Sequence, residues 1–407
     1  MSEVAKQWWP STIYTAPEET IEPLHITWIN KSGDTDPYVT ITKADTLQYS
    51  YDNANWVNAS SANVSGNQMD GSSEYHVYIR RRPDLAPITA LFSSLSVDNK
   101  WTINGGQARL SGNIMSLLGQ NKEVGEYAFG ELFYYNSNLI DASELEMPAM
   151  TLGAYCYAHM FINCTALTAA PALPAMTLAE GCYAHMFADC TALTAGPALP
   201  ATTLATLCYD FMFYNCTALT SIPALPATVM AKSCYSYMFC NCKGLEDIPA
   251  GALPAMTLAE SCYKGMFQRT YVVPAADLLP ATVMAPSCYM EMFEYADNFE
   301  TAPNLPATVM APSCYESMFS GCSIRFEVAL HATVLATRCC RRMFRSCGAL
   351  EGVDFTSATD ISAENALDQW LKDTAVTNGG TLYVSSAMLK EWKKNGEVPN
   401  NWSIVAR

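Results

Sequence analysis

The sequence predicts an α+β protein: an N-terminal antiparallel β domain, then a solenoid of strand–turn–helix units, closed by a C-terminal cap. Three observations predict it. From about residue 126 to 350 one pattern recurs, a small residue followed by Cys-Tyr-x-x-Met-Phe-x-x-Cys, a Leu and a Pro-Ala-Leu-Pro-Ala stretch. Its Met-Phe pair places Met at 160, 186, 212, 238, 266, 292, 318 and 343, in steps of 26, 26, 26, 28, 26, 26 and 25 residues. A fixed period of this size marks a solenoid, in which each unit buries its apolar face against its neighbours. Residues 21–92, by contrast, alternate apolar and polar residues as half-buried strands do. Finally, 50% of the 407 residues are hydrophobic and 15% are charged, the composition of a folded chain with a large core.

The elements follow in chain order. Residues 1–20 form an arm in which Trp8 and Trp9 stand in a polar, proline-punctuated segment with no evident core partner. Adjacent tryptophans on an arm suit an anchor to another protein, or packing back onto the next domain. In residues 21–92, Leu24–Trp28, Tyr38–Thr42, Leu47–Tyr51 and Tyr75–Ile79 read as strands, with turns at Asp52-Asn53 and Gly66-Asn67. This is a small, sandwich-like antiparallel domain. Residues 93–125 hold Trp101–Asn104 and Ala108–Ile114, read as a hairpin that starts and caps the solenoid. The solenoid runs over 126–360 with about nine coils, its first a degenerate copy carrying Leu132-Phe133. Residues 361–407 supply the second cap, with strands at Thr381–Val384 and Trp402–Val405 and a helix from Ala387 to Lys394.

Within one unit, Cys182, Tyr183, Met186, Phe187 and Cys190 fall at i, i+1, i+4, i+5 and i+8, read as an apolar stripe on a three-turn α-helix. Thr177-x-x-Glu180 and Thr257-x-x-Glu260 resemble capping boxes, and Pro286 and Pro312 suit a first helical position. Leu193 and Leu199 are inward candidates on a short extended segment whose prolines prevent long regular pairing. Strands stacked about 4.8 Å apart would give a face roughly 45 Å long.

The sixteen cysteines follow the repeat, most in pairs eight residues apart such as Cys156/Cys164 and Cys314/Cys322. On a helix eight residues span roughly 12 Å, beyond the about 7 Å a disulfide tolerates. Buried free thiols acting as small hydrophobes are the expectation, supported by Thr270 and Ala296, which stand where the second Cys falls in two units. Cys156-x-x-His159 and Cys182-x-x-His185 look like fragments of zinc sites, yet other units place Phe211, Tyr237, Gly265, Glu291, Ser317 and Arg342 at the histidine position. No metal, no cofactor and no catalytic residue is predicted. Cys339-Cys340 is read as a substitution of the unit's Tyr.

The run Met-Phe-x-x-Cys-Thr-Ala-Leu-Thr, preceded by Cys-Tyr, resembles the BspA-like leucine-rich repeat family. That family's usual unit is shorter, with Ala-Phe-x-x-Cys, and the longer form here is similar to proteins of gut Bacteroidales and their phages. The resemblance covers residues 126–407 well and the N-terminal part more loosely. It implies a leucine-rich-repeat solenoid used in adhesion or surface recognition, with no catalytic residues.

A net charge of −16 argues against sequence-independent nucleic-acid binding and favours solubility. No apolar run reaches a membrane span, and the start of the chain lacks the pattern of a secretory leader. The outward pairs change from unit to unit while the inward pattern persists. His159, His185, Phe211 and Tyr237 form an aromatic column on consecutive coils, read either as a binding stripe for sugar or protein or as lateral packing that seals the layer. Arg338, Arg341, Arg342 and Arg345, with Arg80–Arg82, are basic spots suited to acidic partners or simply solvated. The expectation is a non-enzymatic virion component of a phage, a head or tail decoration or fibre. Its arm and β domain would meet other assembly proteins and its solenoid a host glycan or protein, with self-association a further option. The alternative is a bacterial cell-surface adhesin of the same family.

Overall fold

The computed structural model describes residues 21–31, 36–68, 72–120, 123–298, 300–374, 379–395 and 397–407. Trp8 and Trp9 lie outside the described residues. Among those described, the chain is β-rich, with a single α-helix, α1, at Leu389–Asn395.

The N-terminal part holds β1 (Leu24–Trp28), β2 (Tyr38–Thr40), β3 (Leu47–Ser50), β4 (Val57–Asn58), β5 (Asn63–Ser65), β6 (Asn67–Gln68) and β7 (Tyr75–Arg81). Then come β8 (Thr102–Asn104), β9 (Ala108–Asn113) and β10 (Leu139–Glu146). One sheet has the order β10-β9-β1-β7-β3-β4, with β6 also on β7, and a second has the order β5-β2-β8. In β1 every second residue is buried, Leu24, Ile26 and Trp28, as alternation predicts. The expected hairpin of residues 95–120 is not formed: β8 joins the small sheet, and β9 pairs antiparallel with β1 and parallel with β10. The three residues between the two short strands do not fix their pairing when each finds a partner elsewhere. β10 belongs to the first repeat, and its Asp141 bridges in parallel to Ala169 of the next. The antiparallel sheet is thereby joined to the short parallel bridges of the repeats. Buried Asn136 ties the two parts further, accepting from the Ile103 amide at 2.6 Å and donating to the Trp101 carbonyl at 2.7 Å.

The repeats contain no α-helix among the described residues, and this corrects the strand–turn–helix expectation. Each Cys-Tyr-x-x-Met-Phe-x-x-Cys segment is a ribbon of overlapping turns. Ala158, Met160, Ile162 and Cys164 donate their amides to the carbonyls three residues back. The intervening residues, Tyr155, Tyr157, His159, Phe161 and Asn163, donate instead to Glu180, Cys182, Ala184, Met186 and Ala188 of the following unit, at 2.8–3.0 Å. Half the amides thus close turns within a unit and half join it to the next, which leaves the backbone as fully paired as a helix would. Every fourth residue has a positive φ: 51° at Tyr155, 60° at His159 and 58° at Asn163, with the same rhythm in later units. The inward stripe has a period of four for this reason, where a helix would have 3.6.

The supposed capping threonines sit in parallel bridges, Thr151 to Thr177 and Thr257 to Val283. Pro286 and Pro312 offer carbonyls to the amides of Ser261 and Ser287. That position contributes its C=O to the ladder, so proline's missing N–H is harmless there. Leu193 and Leu199 are buried, and extended pairing in the repeats is short, as in β11 (Asp247–Ile248) with β12 (Val273–Pro274).

The rings stack unit upon unit. Tyrosines from Tyr157 to Tyr315 lie 5.6–6.0 Å apart, with planes within 1–9°. Phenylalanines from Phe133 to Phe344 form a second buried column spaced 5.6–5.8 Å. Trp101 closes the phenylalanine column at one end, edge-on to Phe133, and Trp370 closes it at the other, tilted by 57° against Phe344. Cys340 replaces the tyrosine after Tyr315 and leaves a gap lined by Met310, Tyr315, Leu330 and Phe355. The C-terminal residues add a parallel sheet of β13 (Val328–Ala329), β14 (Gly352–Asp354), β15 (Thr381–Val384) and β16 (Ser403–Ala406), in that order. Trp392 of α1 packs on Trp370 and Phe355.

Candidate recognition face

All sixteen cysteines are free and buried. The second cysteine of a unit points its thiol at a backbone carbonyl of the preceding unit. Cys190 Sγ donates to Phe161 O at 3.1 Å, Cys216 to Phe187 O at 3.1 Å and Cys242 to Phe213 O at 3.0 Å. The same carbonyl of Phe161 already accepts the Cys164 amide, so both lone pairs are used. Ala296 cannot serve Phe267 O in this way, and Thr270 supplies a hydroxyl to that carbonyl at 2.7 Å instead. Burial pushes the thiols of Cys164, Cys182 and Cys347 up to about 12. Thiols so placed are neutral packing groups. In Cys156-x-x-His159 the thiol is buried inward while His159 is half-exposed on a positive-φ position. Among the described residues, no three His, Cys, Asp or Glu side chains converge to hold a metal.

The aromatic column is brought together. Ring centroids of His159 and His185 are 4.9 Å apart, those of His185 and Phe211 4.8 Å, and those of Phe211 and Tyr237 4.7 Å. His185 and Phe211 are parallel within 4°, so each ring covers its neighbour's face. At one end His159 Nδ1 meets Glu131 Oε1 at 3.3 Å. At the other, Tyr237 donates its hydroxyl to Glu291 at 2.6 Å, and its ring lies over Gly265. From His185 to Tyr237 the rings cover one another's faces, whereas stacking on a sugar needs an open ring face; His159 stands at 90° to His185. Burial, then His159, lowers His185 to about 4. Burial raises Asp210, on the neighbouring unit, to about 6.

The basic spots are paired only in part. Arg341 bridges Glu316 at 3.1 Å and Asp368 at 2.9 Å. Arg342 is half-buried, and Arg338 is exposed. Arg80 lies 3.8 Å over the Trp56 ring, and Arg82 pairs with Asp84.

No protein-family model, no curated protein and no solved structure matches this chain.

Two outer features escape a reading centred on the inward pattern. Asn215 donates its amide to Asp189 Oδ1 at 2.7 Å, and Asn241 to Asn215 Oδ1 at 2.5 Å, a polar ladder beside the ring column. Its signal is the Asn or Asp recurring just before the second Cys in four consecutive units (Asn163, Asp189, Asn215 and Asn241), residues that tolerate positive φ. The second is a ridge of exposed residues just after the Pro-Ala stretch: Met-Thr in units beginning Ala149, Ala175 and Ala255, Thr-Val in those beginning Ala227, Ala281, Ala307 and Ala332.

Proposed function

We propose that the chain is a non-enzymatic structural and recognition protein, built as a BspA-like repeat solenoid and carried on a phage virion. The observation that carries this reading is the contrast between inside and outside. Cys, Tyr, Met and Phe recur in register and lock consecutive units through the amide ladder and the ring columns. The outward residues at equivalent positions, His159, His185, Phe211, Tyr237, Gly265, Glu291, Ser317 and Arg342, change at every step or two. A rigid frame that holds different side chains at fixed spacing suits recognition of an extended surface. With the ring faces from His185 to Tyr237 covered, the partner favoured is a protein that meets edges and polar groups; a glycan is read through hydrogen bonds to groups such as Glu291 and Asn241.

The test is mass spectrometry of purified phage particles beside washed host-cell envelopes. Recovery in particles at stoichiometric amounts supports the virion reading. Recovery only in envelopes overturns it in favour of a bacterial surface adhesin.

A further inference from the structure

The ring column covers its own faces from His185 to Tyr237, and one tyrosine further along is left open. The Arg269 amide donates to Glu294 O and the Tyr295 amide to Ser320 O, which sets Arg269, Tyr295 and Gly321 in register on three consecutive units. No aromatic residue stands before or after Tyr295 in that row. Its ring rests on the glycine instead: a Cβ at Gly321 would stand 2.4 Å from Tyr295 Cδ1 and 2.7 Å from Cε1. With one face laid on backbone, Tyr295 is still 50% exposed. The Arg269 guanidinium carbon lies 5.6 Å from the ring centroid, against 3.7 Å for Arg407 on Tyr383 and 3.8 Å for Arg80 on Trp56. It flanks the outer face and does not close it.

A polar rim runs beside the ring. Gln268, Glu294 and Ser320 hold one position on the same three units, each a residue before Arg269, Tyr295 and Gly321. Gln268 donates its amide to Glu294 Oε2 at 2.7 Å, which steadies the half-buried carboxylate next to the ring. Arg269 is exposed and makes no ion pair among the described residues, so its donors face solvent.

We infer that Tyr295 is the stacking platform of a glycan-binding subsite that takes a neutral pyranose residue, with Arg269 and Glu294 at its rim. This rests on the recognition reading above and adds a ligand class and a place for it. A pyranose presents weakly positive C–H bonds on its faces, which suit the negative face of an aromatic ring. The hydroxyls around its edge make their strongest hydrogen bonds to charged groups, a carboxylate that accepts and a guanidinium that donates. Here the open ring, the acceptor and the donor lie on adjacent residues of adjacent units. The opposite charges of Arg269 and Glu294 favour a neutral sugar over an acidic one. The seat on Gly321 holds the ring before the ligand arrives, so little side-chain freedom is lost on binding.

Saturation-transfer NMR of the full chain tests this with four probes at about 10 mM, the methyl glycosides of β-galactose, β-glucose, α-mannose and N-acetyl-β-glucosamine. At least one is expected to bind with a dissociation constant of about 1 mM, and to receive most saturation at the C–H protons of one ring face. Tyr295→Ala is expected to weaken that binding about ten-fold, and Tyr295→Phe by less than about two-fold because the ring stays. Arg269→Ala is expected to weaken it several-fold. Both positions are exposed, so each variant should keep the wild-type circular dichroism. No transfer to any of the four probes overturns the inference. Binding that Tyr295→Ala leaves unchanged also overturns it, and moves the glycan to another part of the face. If Tyr295→Ala abolishes attachment to host cells while no glycoside binds, the ligand here is a protein and the inference falls. None of these outcomes alters where the native protein is found, so the particle assay judges the virion reading separately.

Discussion

At the scale of the residue, cysteine serves this chain as a small apolar group with one weak proton to give. Its size lets consecutive units approach, and its thiol reaches the Phe carbonyl one unit back at 2.8–3.2 Å. The chemistry that makes cysteine reactive is suppressed by the same burial. Folded thiols raised to about 12 compare with about 8.5 in an unfolded chain. The unfolded state therefore loses protons first as pH rises. Stability is fully present below about pH 8.5 and falls above it, by about 1.4 kcal/mol per thiol for each pH unit until the folded thiols titrate. We expect the urea midpoint to hold from pH 7 to 8 and to collapse between pH 9 and 11. A disulfide-exchange reagent at pH 8 should find almost no thiols in the native protein and all sixteen after denaturation. Several fast-reacting native thiols would contradict this account.

At the scale of the element, the turn ribbon places an ordinary residue in the left-handed region every fourth position, a conformation that costs about 1–3 kcal/mol at each non-glycine site. Inter-unit hydrogen bonds and stacked rings offset that cost. In three places the chain uses glycine, and each lies one unit after a tyrosine: Gly181 after Tyr155, Gly265 after Tyr237 and Gly321 after Tyr295. A Cβ on Gly265 would stand 2.2 Å from the Tyr237 ring, on a backbone with φ of 58°. Gly265→Ala should thus suffer twice, losing at least about 2 kcal/mol, more than strained φ alone would explain at its low end. Removing the ring in Tyr237→Ala should relieve part of that loss, so the double variant falls short of additivity by more than about 0.5 kcal/mol. Thermal denaturation of the four proteins measures the coupling, and strict additivity would mean that the ring does not press on residue 265.

At the scale of the whole molecule, units bond mainly to the next in sequence, with Tyr237 reaching past Gly265 to Glu291 two units on. The ends carry what the middle lacks. Trp101 and Trp370 cover the exposed faces of the phenylalanine column, the first backed by the antiparallel sheet and the second by Trp392. Because the interior is periodic, its length is adjustable. Deleting residues 201–226, one 26-residue period, joins Pro200 to Ala227 and sets Phe187 against Phe239 and Tyr183 against Tyr235. The shortened chain is expected to fold, with a single cooperative calorimetric transition and a midpoint within a few degrees of the parent. A deletion of 13 residues from the same place should fail, since it turns the inward face out. If the 26-residue deletion also lost cooperativity, the units would not be interchangeable.

The sequence by itself determined the period, the inward residues, the neutrality of the cysteines and the alternation of β1, because these depend on which side chains must leave water. Cys156, Tyr157, Met160, Phe161 and Cys164 are buried just where the repeat places them. The candidate site was legible in part: the column of His159, His185, Phe211 and Tyr237 follows from register alone. Tertiary structure decided the backbone. A stripe at i, i+1, i+4, i+5 and i+8 fits a helix and a four-residue turn ribbon almost equally over nine residues, and the choice rests on hydrogen bonds to a unit 26 residues away. The hints were local, in the glycines, asparagines and aspartate of the left-handed positions. The same inter-unit spacing closes the ring faces and aligns the ridge. No single unit specifies either, because both arise only when one unit lies on the next.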